Sequence, residues 1–240
     1  MSLAPDQLAV LGIRPQLLRL QLWHACRQVQ RGERSLDFAL RHWTGIGNFL
    51  AADAEQLAVV IRDLEAICQA GLVEDPDGFV ERASAYLQPL LEQADARRVP
   101  ARHSWYGCFR ADLAADGVTT NLHFYNACSP RSPFADPAAL RGDLAACITA
   151  ICRQHPQIAM VRCASWINNL APFHSLFPDA YRQSLVETDP DGKTGLGWWG
   201  QFITKENTLN PERVALLKET GRFQYPRLAG ICSLASMDVE

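Results

Sequence analysis

Through the first hundred positions the apolar residues recur every three to four places, and beyond about residue 102 they begin to alternate. In RPQLLRLQLWHACRQVQRG, residues 14–32, Leu18, Leu22, Cys26 and Val29 mark one helical stripe, with Pro15 suited to a first turn. In DAEQLAVVIRDLEAICQAG, residues 53–71, the stripe is Leu57, Val60, Ile61, Leu64, Ile67 and Cys68, and Gly71 stops it. A further helix follows Asp75-Pro76 and runs through Phe79, Ala83, Tyr86 and Leu90. Between the first two, SLDFALRHWTGIGNFLAA predicts a short helix, a glycine corner and another turn. Residues 1–98 therefore read as a helical region.

The second half carries strands. SWYGCFRADL (104–113) and VTTNLHFYNA (118–127) flank Ala114-Ala115-Asp116-Gly117, a turn signal that predicts a hairpin. Asp136-Pro137 opens a helix with Leu140, Leu144, Cys147, Ile148 and Ile151 on one face: an aspartate cap followed by a proline in the first turn. QIAMVRCASW (157–166) has strand length and a place inside a sheet, and Pro178-Asp179 starts a short helix. GLGWWGQFIT (195–204) reads as a strand, Asn210-Pro211-Glu212 opens a helix ending at Gly221, and LAGICSLAS (228–236) is a last strand. The order β-β-α-β-α-β-α-β calls for a mixed sheet covered by helices. The expected fold is α+β: a helical region, 1–98, packed on a sheet domain, 102–240, that carries the site.

Composition narrows the function. The 240 residues are 48% hydrophobic, enough for a substantial core, and the net charge of −3 comes with no basic run, which argues against nucleic-acid binding. No apolar stretch approaches the roughly 18 residues of a membrane span, and no signal peptide opens the chain, so a soluble cytoplasmic protein is expected. The eight cysteines include no Cys-x-x-Cys pair, so reduced buried thiols are expected rather than a structural zinc.

Ligands of open sheets gather beyond the carboxyl ends of strands. Alternation in NLHFYNA puts Asn121, His123 and Tyr125 on one face. The loop that follows, with Ser129, Arg131 and Ser132, runs into a helix N-terminus that can hold an anion, although Arg131 can equally pair with a surface carboxylate. RCASWINNLAPFH breaks from strand into Ser165, Trp166, Asn168 and Asn169, with His174 beyond; the polar groups offer donors beside an aromatic wall, or they simply finish a turn. Trp198 and Trp199, read as strand neighbours, point to opposite sides, one to the core and one to a groove. His103, His123 and His174 are candidate bases, with His123 foremost for its polar companions. A metal site would need these histidines to converge with a carboxylate, which no spacing here supports; a cysteine nucleophile at Cys163 or Cys128 has no local activating partner.

NLHFYNACSPRSPF, an amphipathic helix and then MVRCASWINNLAPFHSLFP resemble the C-terminal half of GNAT-like two-part acyltransferases found in bacteria, over roughly residues 102–235. The matching pieces are Leu122-His123 and Ser165-Trp166. The resemblance implies transfer of an acyl group from a pantetheine thioester, with the donor's pyrophosphate at the loop before residue 137 (Ser129, Arg131, Ser132). That loop has no glycine, so an acyl carrier protein stands beside acyl-CoA as the donor, and no tightly bound cofactor or metal is expected. In the resulting expectation a small amine or hydroxyl compound is the acyl acceptor. His123 and Ser165 are catalytic, and Asn121, Tyr125, Trp166, Asn168, His174, Trp198 and Trp199 bind substrate. A non-catalytic module for a small molecule or a partner, and a histidine-ligated metal enzyme, are the alternatives.

Overall fold

The computed structural model of the chain describes residues 5–69, 75–97, 104–188 and 191–237. In chain order the first elements are helices α1 (Pro5–Gln30), α2 (Leu36–Trp43), α3 (Ile46–Leu50), α4 (Ala54–Gln69) and α5 (Pro76–Arg97). Strands β1 (Phe109–Leu113) and β2 (Thr119–Phe124), helix α6 (Pro137–Gln154) and strand β3 (Met160–Ser165) follow. Then come short helices α7 (Ala171–His174) and α8 (Asp179–Gln183), strand β4 (Val186–Glu187), helices α9 (Leu196–Trp199) and α10 (Pro211–Thr220), and strand β5 (Leu228–Ser233). The chain is α+β with a mixed sheet. No helix among the described residues is long and apolar enough to cross a membrane.

The chain divides into two compact units, and both are discontinuous. The first holds Met1–Pro100, Asp191–Phe202 and Leu209–Gln224; the second holds Ala101–Pro190, Ile203–Thr208 and Tyr225–Glu240. The helical unit thus takes in two stretches that the sequence reading assigns to the sheet domain.

In the helical unit the apolar stripes become the core. Leu18, Leu22 and Cys26 of α1 pack with Val60, Ile61, Leu64 and Cys68 of α4 and with Phe79, Ala83 and Leu87 of α5. Pro15 lies inside α1 rather than in its first turn. Helix α2 starts where Ser35 accepts a hydrogen bond from the Phe38 N–H, at 3.2 Å. The segment read as a strand, 195–204, is instead α9 followed by a 3-10 turn, Gly200–Phe202. Three glycines in six residues (195, 197 and 200) give a strand little to pack, while a helical turn lets Trp198, Trp199 and Phe202 all be buried. Neither tryptophan faces a groove. Trp199 Nε1 donates to the Trp43 and Lys193 carbonyls, at 3.1 and 2.5 Å.

In the second unit the sheet order is β1-β2-β3-β5-β4. Only β2 and β3 run parallel, joined through α6; the other neighbours are antiparallel. One face is apolar: Phe109, Leu122, Val161, Cys163 and Cys232 pack on Leu140, Leu144 and Ile148 of α6 and on Phe173 and Tyr181 beyond β3. Alternation then places Arg110, Asp112, Asn121, His123 and Arg162 on the opposite face. Two glycines permit close approaches. At Gly107 (φ 52°) a Cβ would run into the Asp143 carboxylate, which accepts the Cys108 N–H at 3.1 Å and so ties α6 to the start of β1. At Gly230 a Cβ would strike the Tyr181 ring.

Candidate functional site

The hairpin turn sets which polar groups meet. With Arg110 opposite His123 and Asp112 opposite Asn121, side chains of one face lie within reach across the β1–β2 pair. Asp112 Oδ2 receives Arg110 Nη2 at 3.0 Å and lies 2.7 Å from His123 Nε2. The Arg110 guanidinium also rests over the Trp105 ring, 5.6 Å from its centroid, and Trp105 meets Tyr125 edge-on at 5.4 Å. His123, Asp112 and Arg110 thus form one polar cluster on the open face of the β1–β2 pair.

Beside this trio, at the outer edge of β1, is a cavity of about 270 Å³. Residues 110–113 form one wall, and Cys147, Ile151 and Gln154 of the last turns of α6 with its cap residue His155 form the other, with Ser104 and Tyr106 alongside. Residues 110 and 112 border the cavity by their place on β1, while alternation turns their side chains to the other face of the sheet. Burial pushes the Cys147 thiol up to about 12, with Arg110 drawing it down and Asp112 pushing it up. Arg110 Nε is enclosed and has no hydrogen-bond partner.

The residues singled out from sequence scatter around this centre. β2 and β3 are neighbours and parallel, so His123 and Ser165 stand toward the same end of the sheet. Asn121 lies between Asp112 and Arg162 in the ladder, on the open face, and Tyr125 joins through Trp105. Ser165 Oγ accepts from the Ile167 N–H at 3.4 Å, capping a 3-10 turn, and Trp166 stacks on Tyr225 at 6.0 Å.

Asn168 is 1% exposed and its groups are taken up internally. Nδ2 donates to the Cys163 and Leu228 carbonyls, at 3.0 and 2.8 Å, and Oδ1 accepts from the Tyr181 hydroxyl at 2.8 Å. This asparagine ties β3, β5 and α8 together and has no group left for a substrate. His174 ends α7, with Nδ1 enclosed and unpartnered. Trp198 and Trp199 fill the core of the helical unit, so the pocket wall expected from them is not in the sheet unit.

The loop expected to hold a pyrophosphate is occupied by its own caps. Ser132 accepts from the Phe134 N–H and Asp136 from the Ala139 N–H, at 3.3 and 3.0 Å, while Ser129 Oγ accepts from Asn207 Nδ2 at 3.1 Å. Arg131 is exposed, and its carbonyl accepts from Asn126 Nδ2. Among the described residues no group of three or more His, Cys, Asp or Glu could hold a metal ion, and His103 lies outside those residues.

Arg110 and Asp112 are the residues of the candidate site that sequence reasoning missed. Alternation within CFRADL puts both on one side, and the turn at 114–117 lays them opposite His123 and Asn121. Compared with protein-family models, curated proteins and solved structures, the chain matches none.

Proposed function

We propose that the chain is an acyltransferase that moves an acyl group from a pantetheine thioester to a small amine or hydroxyl compound. The observation that carries the reading is His123 Nε2 at 2.7 Å from Asp112 Oδ2, on a strand that also borders a cavity. His123 takes the proton of the acceptor as its nitrogen or oxygen attacks the thioester carbonyl; the carbon–sulfur bond breaks, and the departing thiolate takes that proton back from the imidazolium. The thioester donor, whether acyl-CoA or an acyl carrier protein, rests on the GNAT-like layout of residues 102–235. A cytoplasmic setting is supported by eight thiols, none paired in a disulfide.

Acetyl-CoA and an acetylated acyl carrier protein, incubated with a panel of small amines and alcohols, test the reading through product mass. Transfer should occur with the native chain and fall by about 10²–10⁴ in His123→Ala, with the circular dichroism unchanged. Undiminished turnover in that variant removes His123 from its role, and absence of transfer from either donor removes the activity. A second reading, ligand binding without turnover, is favoured by the cavity of about 270 Å³ between β1 and α6. It predicts a thermal shift with an acceptor compound and no product.

A further inference from the structure

We infer that the opening between the ends of β2 and β3, on the open face of the sheet, binds a phosphate monoester between Arg227 and Arg162. The assignment of that ligand as the acyl acceptor rests on the proposed acyltransferase reading; the binding itself does not. The parallel ladder pairs Thr119 with Met160, Thr120 with Val161 and Asn121 with Arg162 and then stops, although β2 runs on to Phe124 and β3 to Ser165. β3 also pairs with β5, and the bond from the Leu234 N–H to the Ala159 carbonyl sets which of its backbone groups face that strand: those of residues 161, 163 and 165. The Ala164 carbonyl therefore points to the β2 side, past the last paired residue. Arg227, just before β5, reaches across to it, and Nε donates to that carbonyl at 3.2 Å.

This bond fixes the Arg227 guanidinium at the opening and leaves its two Nη groups with no hydrogen bond among the described residues. Arg162 stands two places before Ala164 on the same face, exposed and in no ion pair among the described residues. Two carboxylates of this unit are engaged elsewhere. Asp112 is held by Arg110 and His123, and Asp116, which feels the charge of Arg162, accepts the Val118 and Thr119 N–H groups at 3.0 and 2.8 Å. Burial lowers the pKa of Arg227 and the charge of Arg162 lowers it further, so an anion between the two stabilises the charged form. A phosphate monoester carries about −1.5 to −2 near neutral pH and accepts from guanidinium forks on more than one side. A monocarboxylate would leave one guanidinium without a counter-charge. His123 lies on the same face, two residues beyond Asn121, so an amine or alcohol anchored by its phosphate presents its nucleophile on the side that carries the proposed base.

The test uses the full chain at constant ionic strength, with inorganic phosphate, O-phosphoethanolamine, ethanolamine and acetate as calorimetric probes. The two phosphates should bind at least about tenfold more tightly than ethanolamine or acetate, the gain expected from one further charge-assisted contact. Arg162→Gln, at an exposed position, and Arg227→Gln should each weaken both phosphates by at least about tenfold, while Arg131→Gln, in the loop before α6, should leave them unchanged. Acetate bound as tightly as phosphate overturns the inference, as do a loss confined to Arg131→Gln and the absence of saturable phosphate binding up to about 10 mM. Acetyl-CoA weakened by Arg162→Gln, with acetyl-dephospho-CoA unaffected, upholds the site and gives it to the donor's 3′-phosphate instead of the acceptor's. Phosphate binding with no transfer from any thioester upholds the site and removes the acyltransferase. Transfer to ethanolamine as fast as to O-phosphoethanolamine, unaltered in both arginine variants, removes the site and upholds the acyltransferase.

Discussion

Replacing Asn168 by alanine should destabilise the sheet unit by about 2–3 kcal/mol. The side chain makes two donor bonds, to the Cys163 and Leu228 carbonyls, and accepts one from the Tyr181 hydroxyl, all in a site 1% exposed. Alanine takes the side-chain partner from the Leu228 carbonyl and leaves the Tyr181 hydroxyl with the Cys163 carbonyl alone. An orphaned group costs about 1–3 kcal/mol, and a small cavity adds to this. The Cys163 carbonyl keeps the Tyr181 hydroxyl at 3.4 Å, which holds the total below the three-bond sum. Tyr181→Phe removes only the hydroxyl and should cost about 1–1.5 kcal/mol. Because the two residues share a hydrogen bond, the double variant should be less damaging than the sum by about 1 kcal/mol. Urea unfolding followed by circular dichroism gives all three values. A loss under about 1 kcal/mol in Asn168→Ala, or strict additivity with Tyr181→Phe, would refute the reasoning. So would a variant of native stability whose only defect is a raised KM, since that would make Asn168 a substrate ligand after all.

Gly230→Ala should cost about 1–3 kcal/mol by the same assay, because the new methyl displaces the Tyr181 ring from its seat on β5; a neutral result would mean that the ring shifts freely. His24 gives the helical unit an acid sensitivity. Burial lowers its pKa from 6.5 to about 3, with Lys193 and Arg31 contributing. Between those values the unfolded chain binds the proton and the folded chain does not. Stability is therefore intact above pH 6.5 and is lost as pH falls toward 3, at up to about 1.4 kcal/mol per unit. His24→Gln should flatten the urea-midpoint profile over that window, and parallel profiles for the two proteins would contradict the burial argument.

Helices with a one-sided stripe and a cap were legible from the chain alone. Asp136 caps α6, and Leu140, Leu144, Cys147, Ile148 and Ile151 are buried on it as the spacing requires. The strand expected at 195–204 was not, because Trp-Trp between glycines carries no period of its own; what folds it into a turn is the Trp199 N–H reaching the Trp43 carbonyl far along the chain. The site shows the same divide. His123 and its face follow from alternation. Its partner Asp112 follows only once the hairpin register is known, because a one-residue slip would send the carboxylate to the apolar face. Asn168 shows the opposite limit: a polar residue after a strand reads alike whether it waits for a ligand or knots three elements together, and only its burial distinguishes them.

The interleaving of the two units has a practical corollary for anyone dissecting this polypeptide. A fragment begun at residue 101 would carry α9 and α10 without α1–α5, stranding Trp198, Trp199 and Leu217 away from the unit in which they are buried. A fragment stopped at residue 100 would lack those same helices. Neither half can be cloned whole with a single cut, so failure of such a truncation to express would report severed connectivity and would say nothing about which half does the chemistry.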